Sequence, residues 1–291
     1  GGMGGIADAL AGALRQYGGT IRTEAPVTQF LIRNGEVRGV VLASGEEILA
    51  NCVLSCLDAR VTFLRLTPPG QLPDDFRSRI EQLDYTSMTV KINVKLNAPP
   101  DFKALPSGGR IGPQHHGTMH LCPTLETMER GYAEARLGRP ATVPMLECTL
   151  PTAVDESLTP PGIHLMGMFV QYAPYQLAEG TWDANSKARF AQRCFAVMEE
   201  YAPGFTSSVI DYQVLTPVDL EQTFGLTGGN IMQGAMHLNS LYVMRPLAGY
   251  AQYATPISGL YLCGAAAHPG GGVMGAAGRN AARAVLRNRS L

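Results

Sequence analysis

The feature that most limits how this chain can fold lies at its C-terminal end. Leu260-Tyr261-Leu262-Cys263 is a short apolar run of strand type. Residues 264–272 are all Gly, Ala or Pro apart from His268, and an Ala-rich stretch from Val273 to about Arg287 has helical character. A strand, a glycine turn and a helix in that order place a helix N-terminus beside a backbone that a ligand can approach closely. The helix end offers free N–H groups and about half a positive charge. Gly270-Gly271-Gly272-Val273-Met274-Gly275 also satisfies G-x-G-x-x-G, the spacing of dinucleotide-binding turns. Only residues 276–291 follow it, so the second strand and the acidic residue about 20 positions on that such a fold needs have no room. On these residues alone two readings stay open. The turn seats an electron-rich ligand, or it is a tight strand-to-helix connection in which Gly275, Ala276 and Gly278 allow close packing.

Length and composition narrow the class. At 291 residues the chain makes about two domains or one large α/β domain. Apolar residues are 45% of it, yet no run approaches the roughly 18 consecutive apolar positions a membrane helix requires. The 23 basic and 24 acidic side chains nearly cancel and form no block, so the footprint of a nucleic-acid binder is missing. Six irregularly spaced cysteines and the lack of a signal peptide point to a reducing compartment, with the cytoplasm as the expected location.

Periodicity supplies the coarse architecture. Ile6, Leu10, Ala13, Leu14 and Tyr17 predict a helix closed by Gly18-Gly19. Between Thr20 and Ser55 the period changes to two, giving short strands at 21–23, 27–33, 36–42 and 46–53. Asn34-Gly35 and Ser44-Gly45 are the turns of an antiparallel meander, and Cys52–Cys56 is a buried strand. A helix from Asp74 carries Phe76, Ile80 and Leu83 on one face. From Ser87 to Leu96, Met88, Val90, Ile92, Val94 and Leu96 alternate with Thr89, Lys91, Asn93 and Lys95, which describes a sheet whose second side is solvated or lines a pocket. Residues 98–113 read as loop. A helix follows at 125–137, strands at 145–150 and 164–172, a longer helix at 185–201 and a strand at 209–215.

Other clusters carry weaker chemistry. His115, His116, His120 and Cys122 are dense enough to consider a metal, but their spacing fits no standard zinc pattern and they read as loop residues. Cys52 and Cys56 lack further cysteines at cluster spacing and read as small core residues. Gly2-Met3-Gly4-Gly5-Ile6-Ala7 has G-x-G-x-x-A spacing without a preceding strand. His268 either bonds a ligand or orients its turn, and Tyr85, Tyr172, Tyr175, Trp182 and Tyr242 either line a cavity or pack the core.

The segment from Tyr261 to Ala282, with its Cys-Gly-Ala-Ala-Ala-His-Pro-Gly-Gly-Gly-Val-Met-Gly run, closely resembles the C-terminal flavin motif of the phytoene desaturase and amine oxidase superfamily. Three more segments are similar to that family: the opening Gly-Gly-Met-Gly and its helix, the stretch from Glu24 to Ile48, and the stretch from Phe224 to Pro246. The resemblance implies an α/β (α+β) fold. It combines part of a Rossmann-like FAD/NAD(P)-binding domain, with its antiparallel meander, and a substrate domain with a mixed or antiparallel sheet covered by helices. Residues 1–66 and 251–291 then belong to the FAD domain and 67–250 to the substrate domain, with the family's leading strand and G-x-G-x-x-G expected upstream of residue 1.

By the same resemblance Val27 is the adenine-side backbone contact, and Gly264, Ala265, His268, Pro269, Gly271, Gly272, Val273 and Met274 are the flavin-side residues. No acid or base stands out as catalytic. Met274 stands where many carotenoid desaturases have Pro, which leaves carotenoid specificity open. The implied activity is hydride transfer from an apolar or amphipathic small molecule to FAD, by a chain expected to be incomplete and inactive on its own and capable of forming a homo-oligomer. The alternatives are a flavin-less binding module on the same scaffold and a metal-dependent enzyme using His115, His116 and His120.

Overall fold

A computed structural model gives the fold and describes residues 2–289. In chain order the regular elements are α1 (Gly4–Gln16), β1 (Val27–Arg33), β2 (Glu36–Leu42), β3 (Glu47–Leu49), β4 (Val53–Ser55), α2 (Asp74–Glu81) and β5 (Thr89–Leu96). They continue as β6 (Met119–Leu121), α3 (Leu125–Arg136), β7 (Met145–Thr149), β8 (His164–Gln171), α4 (Ala184–Tyr201), α5 (Phe205–Ser208) and β9 (Val209–Leu215). Helix α6 (Pro217–Phe224), strand β10 (Leu260–Leu262) and helix α7 (Ala276–Arg289) complete the chain. Two compact units form, one from Gly1–Ile21 and Ser87–Leu220, the other from Arg22–Thr86 and Glu221–Leu291. Residues 67–86 and 221–250 thus group with the meander and the C-terminal strand, while the first 21 residues group with β5–β9.

The first unit is built on a five-stranded antiparallel sheet in the order β6-β7-β8-β5-β9. Its alternation follows from the β5 sequence. Val90, Ile92, Val94 and Leu96 are buried, and Thr89, Lys91, Asn93 and Lys95 occupy the other face. Against the buried face α4 lays Phe190, Cys194, Phe195, Val197 and Met198, joining Leu146, Met166, Met168 and Val170 in one core. Each large side chain buried there contributes about 1.5–3 kcal/mol. The start of α4 is fixed by Asp183, whose carboxylate accepts the Ser186 N–H at 2.7 Å. Helix α1 forms as its period predicts, but Ile6, Leu10, Leu14 and Tyr17 are exposed and none of its residues is buried.

The second unit combines the meander β1-β2-β3 with a parallel pair, β10 on β4. Asn34 (φ 53°) and Gly35 (φ 75°) make the β1–β2 turn, and Arg33 pairs with Glu36 across it. The meander is tied to its unit through Phe30 N–H on Leu66 O at 2.8 Å and Val37 N–H on Ser258 O at 2.9 Å. Its core gathers Phe30, Phe63, Phe76, Ile80, Ile257, Leu260, Leu262 and Ala281. The Phe63 and Phe76 rings meet edge-on at 4.9 Å.

Three local expectations are corrected. Residues 21–23 form no strand, because Gly18 (φ 80°) and Glu24 (φ 53°) both turn the backbone left-handed and break the extended run. The expected strand at 46–53 is two strands, β3 and β4. Cys56, expected in the core, is exposed.

Candidate functional site

Strand β10 is fully buried and runs parallel to β4, with Leu262 opposite Ser55 and the Cys263 N–H on Ser55 O at 2.8 Å. The loop that leaves it is pressed against β4's own continuation. A Cβ on Gly264 would meet the backbone O, C and Cα of Cys56 all within 2.9 Å, so only glycine allows the approach. Burial pushes the neighbouring Cys263 thiol up to about 11, which keeps it protonated near neutrality.

The loop then passes over Met232, whose backbone and sulfur fill the space a side chain on Gly271 would need. Its tip opens outward. Gly272 (φ 134°) is exposed, Val273 is 80% exposed and Met274 58% exposed. Helix α7 was expected to begin at Val273, but it begins at Ala276. Gly275 adopts φ 65°, a left-handed conformation that cannot continue into a helix, and its carbonyl accepts the first helical N–H, that of Arg279, at 3.1 Å. The N–H groups of residues 276–278 therefore have no acceptor within the helix, directly behind the exposed tip.

Two further predicted residues shape the loop from inside. The His268–Pro269 bond is cis, and the His268 carbonyl accepts the Tyr253 hydroxyl at 3.1 Å. His268 Nδ1 is buried with no hydrogen-bond partner among the described residues. Ala265 offers its carbonyl to Arg245 Nε at 2.8 Å. Val27 lies apart from this loop at the start of β1, half-buried and opposite Leu42.

The residue that organises the loop was not among those predicted. Arg245 is 3% exposed and gives its guanidinium entirely to backbone carbonyls: Ala265, Ala235 at 2.9 Å, Ser240 at 3.2 Å, and Met232. It thereby joins the segment 232–240 to the loop after β10. Burial lowers its pKa, though a guanidinium stays charged throughout the ordinary range. Gln233 adds a second tie, accepting the Ala266 N–H at 3.0 Å and donating to Cys56 O at 3.2 Å. A signal for Arg245 was present in the sequence, since it is the sole Asp, Glu, Lys or Arg between Glu221 and Arg279.

The histidine cluster disperses. His115 is buried, with Nδ1 accepting the Gly112 N–H at 2.9 Å and Nε2 against Pro100 O at 2.8 Å, so neither nitrogen is left for a metal. His120 lies exposed, 3.8 Å from Glu147. Among the described residues no group of three His, Cys, Asp or Glu could hold an ion.

Three features of the loop would suit a flavin: backbone cradled by glycines, a buried imidazole nitrogen without a partner among the described residues, and a helix start whose first N–H groups have no acceptor within the helix, behind an exposed apolar tip. The chain is 46% identical to rat pyridine nucleotide-disulfide oxidoreductase domain-containing protein 2, over 99% of this chain and 50% of that protein. It is 26% identical to carrot chloroplastic prolycopene isomerase, over 95% of this chain and 42% of that protein. The chain thus spans about half the length of the curated relatives it matches. An oxidoreductase structure from Methanosarcina mazei superposes with a TM-score of 0.60 at 20% identity, over 97% of this chain and 53% of that one, and shows the fold is shared. Residues 1–286, the meander, the sheet and the glycine loop together, match the flavin containing amine oxidoreductases, and the chain belongs to that family.

Proposed function

We propose that this chain carries the flavin-side loop and the substrate wall of an FAD-dependent oxidoreductase of dehydrogenase or desaturase type. The observation that carries the reading is the tip of the C-terminal loop. Val273 and Met274 expose apolar side chains beside the uncapped start of α7, in a segment otherwise tied down by Arg245, Gln233 and Tyr253. Gly264, Ala265, His268, Pro269, Gly271, Gly272, Val273 and Met274 would hold the isoalloxazine side, and Val27 the adenine side through its backbone. A bound flavin supplies a two-electron acceptor. The start of α7 offers about half a positive charge to an electron-rich group seated on the loop, and His268 Nδ1 offers one more polar contact. The half-exposed face of β5 would form the wall for an apolar or amphipathic substrate. All six cysteines are free, in keeping with a reducing compartment such as the cytoplasm, and no helix among the described residues is long and apolar enough to cross a membrane.

The test is a titration with FAD, followed by its visible absorbance and by quenching of its fluorescence. It is applied to this chain and to the longest reading frame that contains it. Replacing Val273 or Met274 by Glu puts a carboxylate where electron density must be accepted, at positions already in water. The expected outcome is at least a ten-fold weaker FAD affinity, on the order of one charge-assisted contact, with the thermal midpoint unchanged. Absence of FAD binding by both proteins, or equal binding by the variants, would sink the reading and leave a scaffold that binds without a flavin.

A further inference from the structure

The non-core face of β5 carries a cation that the fold itself does not use. Across the sheet Thr149, Gly167, Asn93 and Gln213 stand in one row, with Lys91 in the next row between Phe169 and Leu215. Gly167 lies inside a strand and has an ordinary extended backbone, so no turn explains it. The Lys91 ammonium occupies the place a Cβ on Gly167 would take, with Thr149 Oγ1 3.3 Å from the same point. A glycine inside a strand often marks a site of close approach, and here the ammonium lies over it.

Two carboxylates lie near this face: Asp211 stands opposite Lys95 in the ladder, and Glu147, one strand further on, faces His120 at 3.8 Å. Among the described residues the Lys91 ammonium makes no hydrogen bond and no ion pair, although it is half-buried. Desolvation lowers its pKa below lysine's ordinary value, against opposing effects of Cys148 and then Glu147. A half-buried ammonium without a partner is costly, and an arriving anion would offset that cost. The space for one exists. An open cleft of about 370 Å³ is lined by Lys91, Lys95, Asp211, Thr149, Leu165 and Tyr212 among others, within the size range of small-molecule sites, about 300–1,000 Å³. Two ammonium groups against one carboxylate leave the cleft one net positive charge, with the Thr149 hydroxyl beside Lys91; this matches a monoanion, and Leu165 and Tyr212 supply apolar surface for the rest of the ligand.

We infer that this sheet face binds a carboxylate, with Lys91 as its counter-ion and Thr149 as a second donor, and that the substrate is an apolar molecule ending in one carboxylate group. The inference rests on the reading of this face as the substrate wall and is independent of flavin binding.

Calorimetric titration with decanoate and decanol, both below their aggregation concentrations, tests it on wild type, Lys91→Met and Lys91→Arg. Wild type is expected to bind decanoate at least ten-fold more tightly than decanol, Lys91→Met to lose that preference, and Lys91→Arg to keep most of it, as expected for one charge-assisted hydrogen bond. In wild type, decanoate should also protect Lys91 from amine acylation, read by mass spectrometry, whereas decanol should not. That measurement stands even if the Met variant fails to fold. Equal binding of the two probes by wild type, or an unchanged preference in a folded Lys91→Met, overturns the inference. Failure of both probes to bind overturns the substrate-wall reading with it. An FAD titration of the same samples is expected to be indifferent to Lys91, so loss of the flavin reading would show there and not in the decanoate preference.

Discussion

Arg245 hydrogen-bonds only backbone carbonyls, which means that no side chain elsewhere signals its role. Its fork spans Met232, Ala235, Ser240 and Ala265, so removing it orphans buried acceptors on two segments together. Arg245→Met keeps the apolar stem and deletes the fork. We expect a loss on the order of 3 kcal/mol or more, since a hydrogen bond to a charged group contributes about 1.5–3 kcal/mol and several are lost. The thermal midpoint should fall by roughly 5–10 °C. Arg245→Lys should recover less than half of that, because an ammonium is a point charge that cannot serve carbonyls spread over a planar fork. Calorimetry of the three proteins decides it, and a Met variant within about 1 °C of wild type would show that the loop is held by Gln233 and Tyr253 without the guanidinium.

Among the elements, those whose residues carry their own instructions are the ones the sequence made legible. The alternation of β5 and the stripe on α4 specify which face is buried, and Asn34-Gly35 specifies a turn through its left-handed backbone. That turn gives an isolated test, because nothing lies within 4 Å of a Cβ placed on Gly35. Gly35→Ala therefore costs only the left-handed backbone strain, about 1–2 kcal/mol, read as a lower denaturation midpoint. An unchanged midpoint would show that the β1–β2 hairpin does not depend on this turn. What stayed illegible depends on partners distant in sequence or on the sign of one dihedral. The start of α7 was misplaced because G-x-G-x-x-G does not reveal that Gly275 is left-handed. The apolar period of α1 predicts a helix correctly, yet it cannot show that Ile6, Leu10 and Leu14 remain exposed, since periodicity reports a face and not what covers it. At the candidate site the glycine loop was legible from its residues. The lone charge of Arg245 was visible too, but its meaning required the fold.

For the molecule as a whole, titratable groups in both units bound stability from two sides. Asp84, held by the Thr86 hydroxyl and N–H, belongs to the second unit. Asp101, Asp155, Asp183 and Glu199, held by the residues 107, 157, 186 and 206, belong to the first. Hydrogen bonds to the charged form depress all five carboxyls. Such a group contributes stability that is present above its unfolded pKa, about 4, and is lost as pH falls through its folded value. Half-buried His164 acts in the same direction near neutrality, because desolvation lowers its folded pKa and an unfolded chain then binds the extra proton. On the alkaline side burial raises the Tyr85 phenol and lifts the Cys148 thiol to about 12 and that of Cys263 to about 11. Their contribution is complete below the unfolded values, about 8.5 for a thiol, and fades as pH rises toward the folded ones. Burial raises the Tyr172 phenol and the Cys194 thiol as well, and Lys91, whose pKa burial lowers, is one group opposing these five. Since the chain forms two compact units, the midpoint rather than a two-state free energy is the observable. Urea midpoints are therefore expected to be highest near pH 7–8, slightly lower at pH 5.5, much lower at pH 3, and lower again at pH 10 than at pH 8. A midpoint at pH 10 equal to that at pH 8 would mean that the Tyr85, Cys148 and Cys263 sites open to water before the fold is lost.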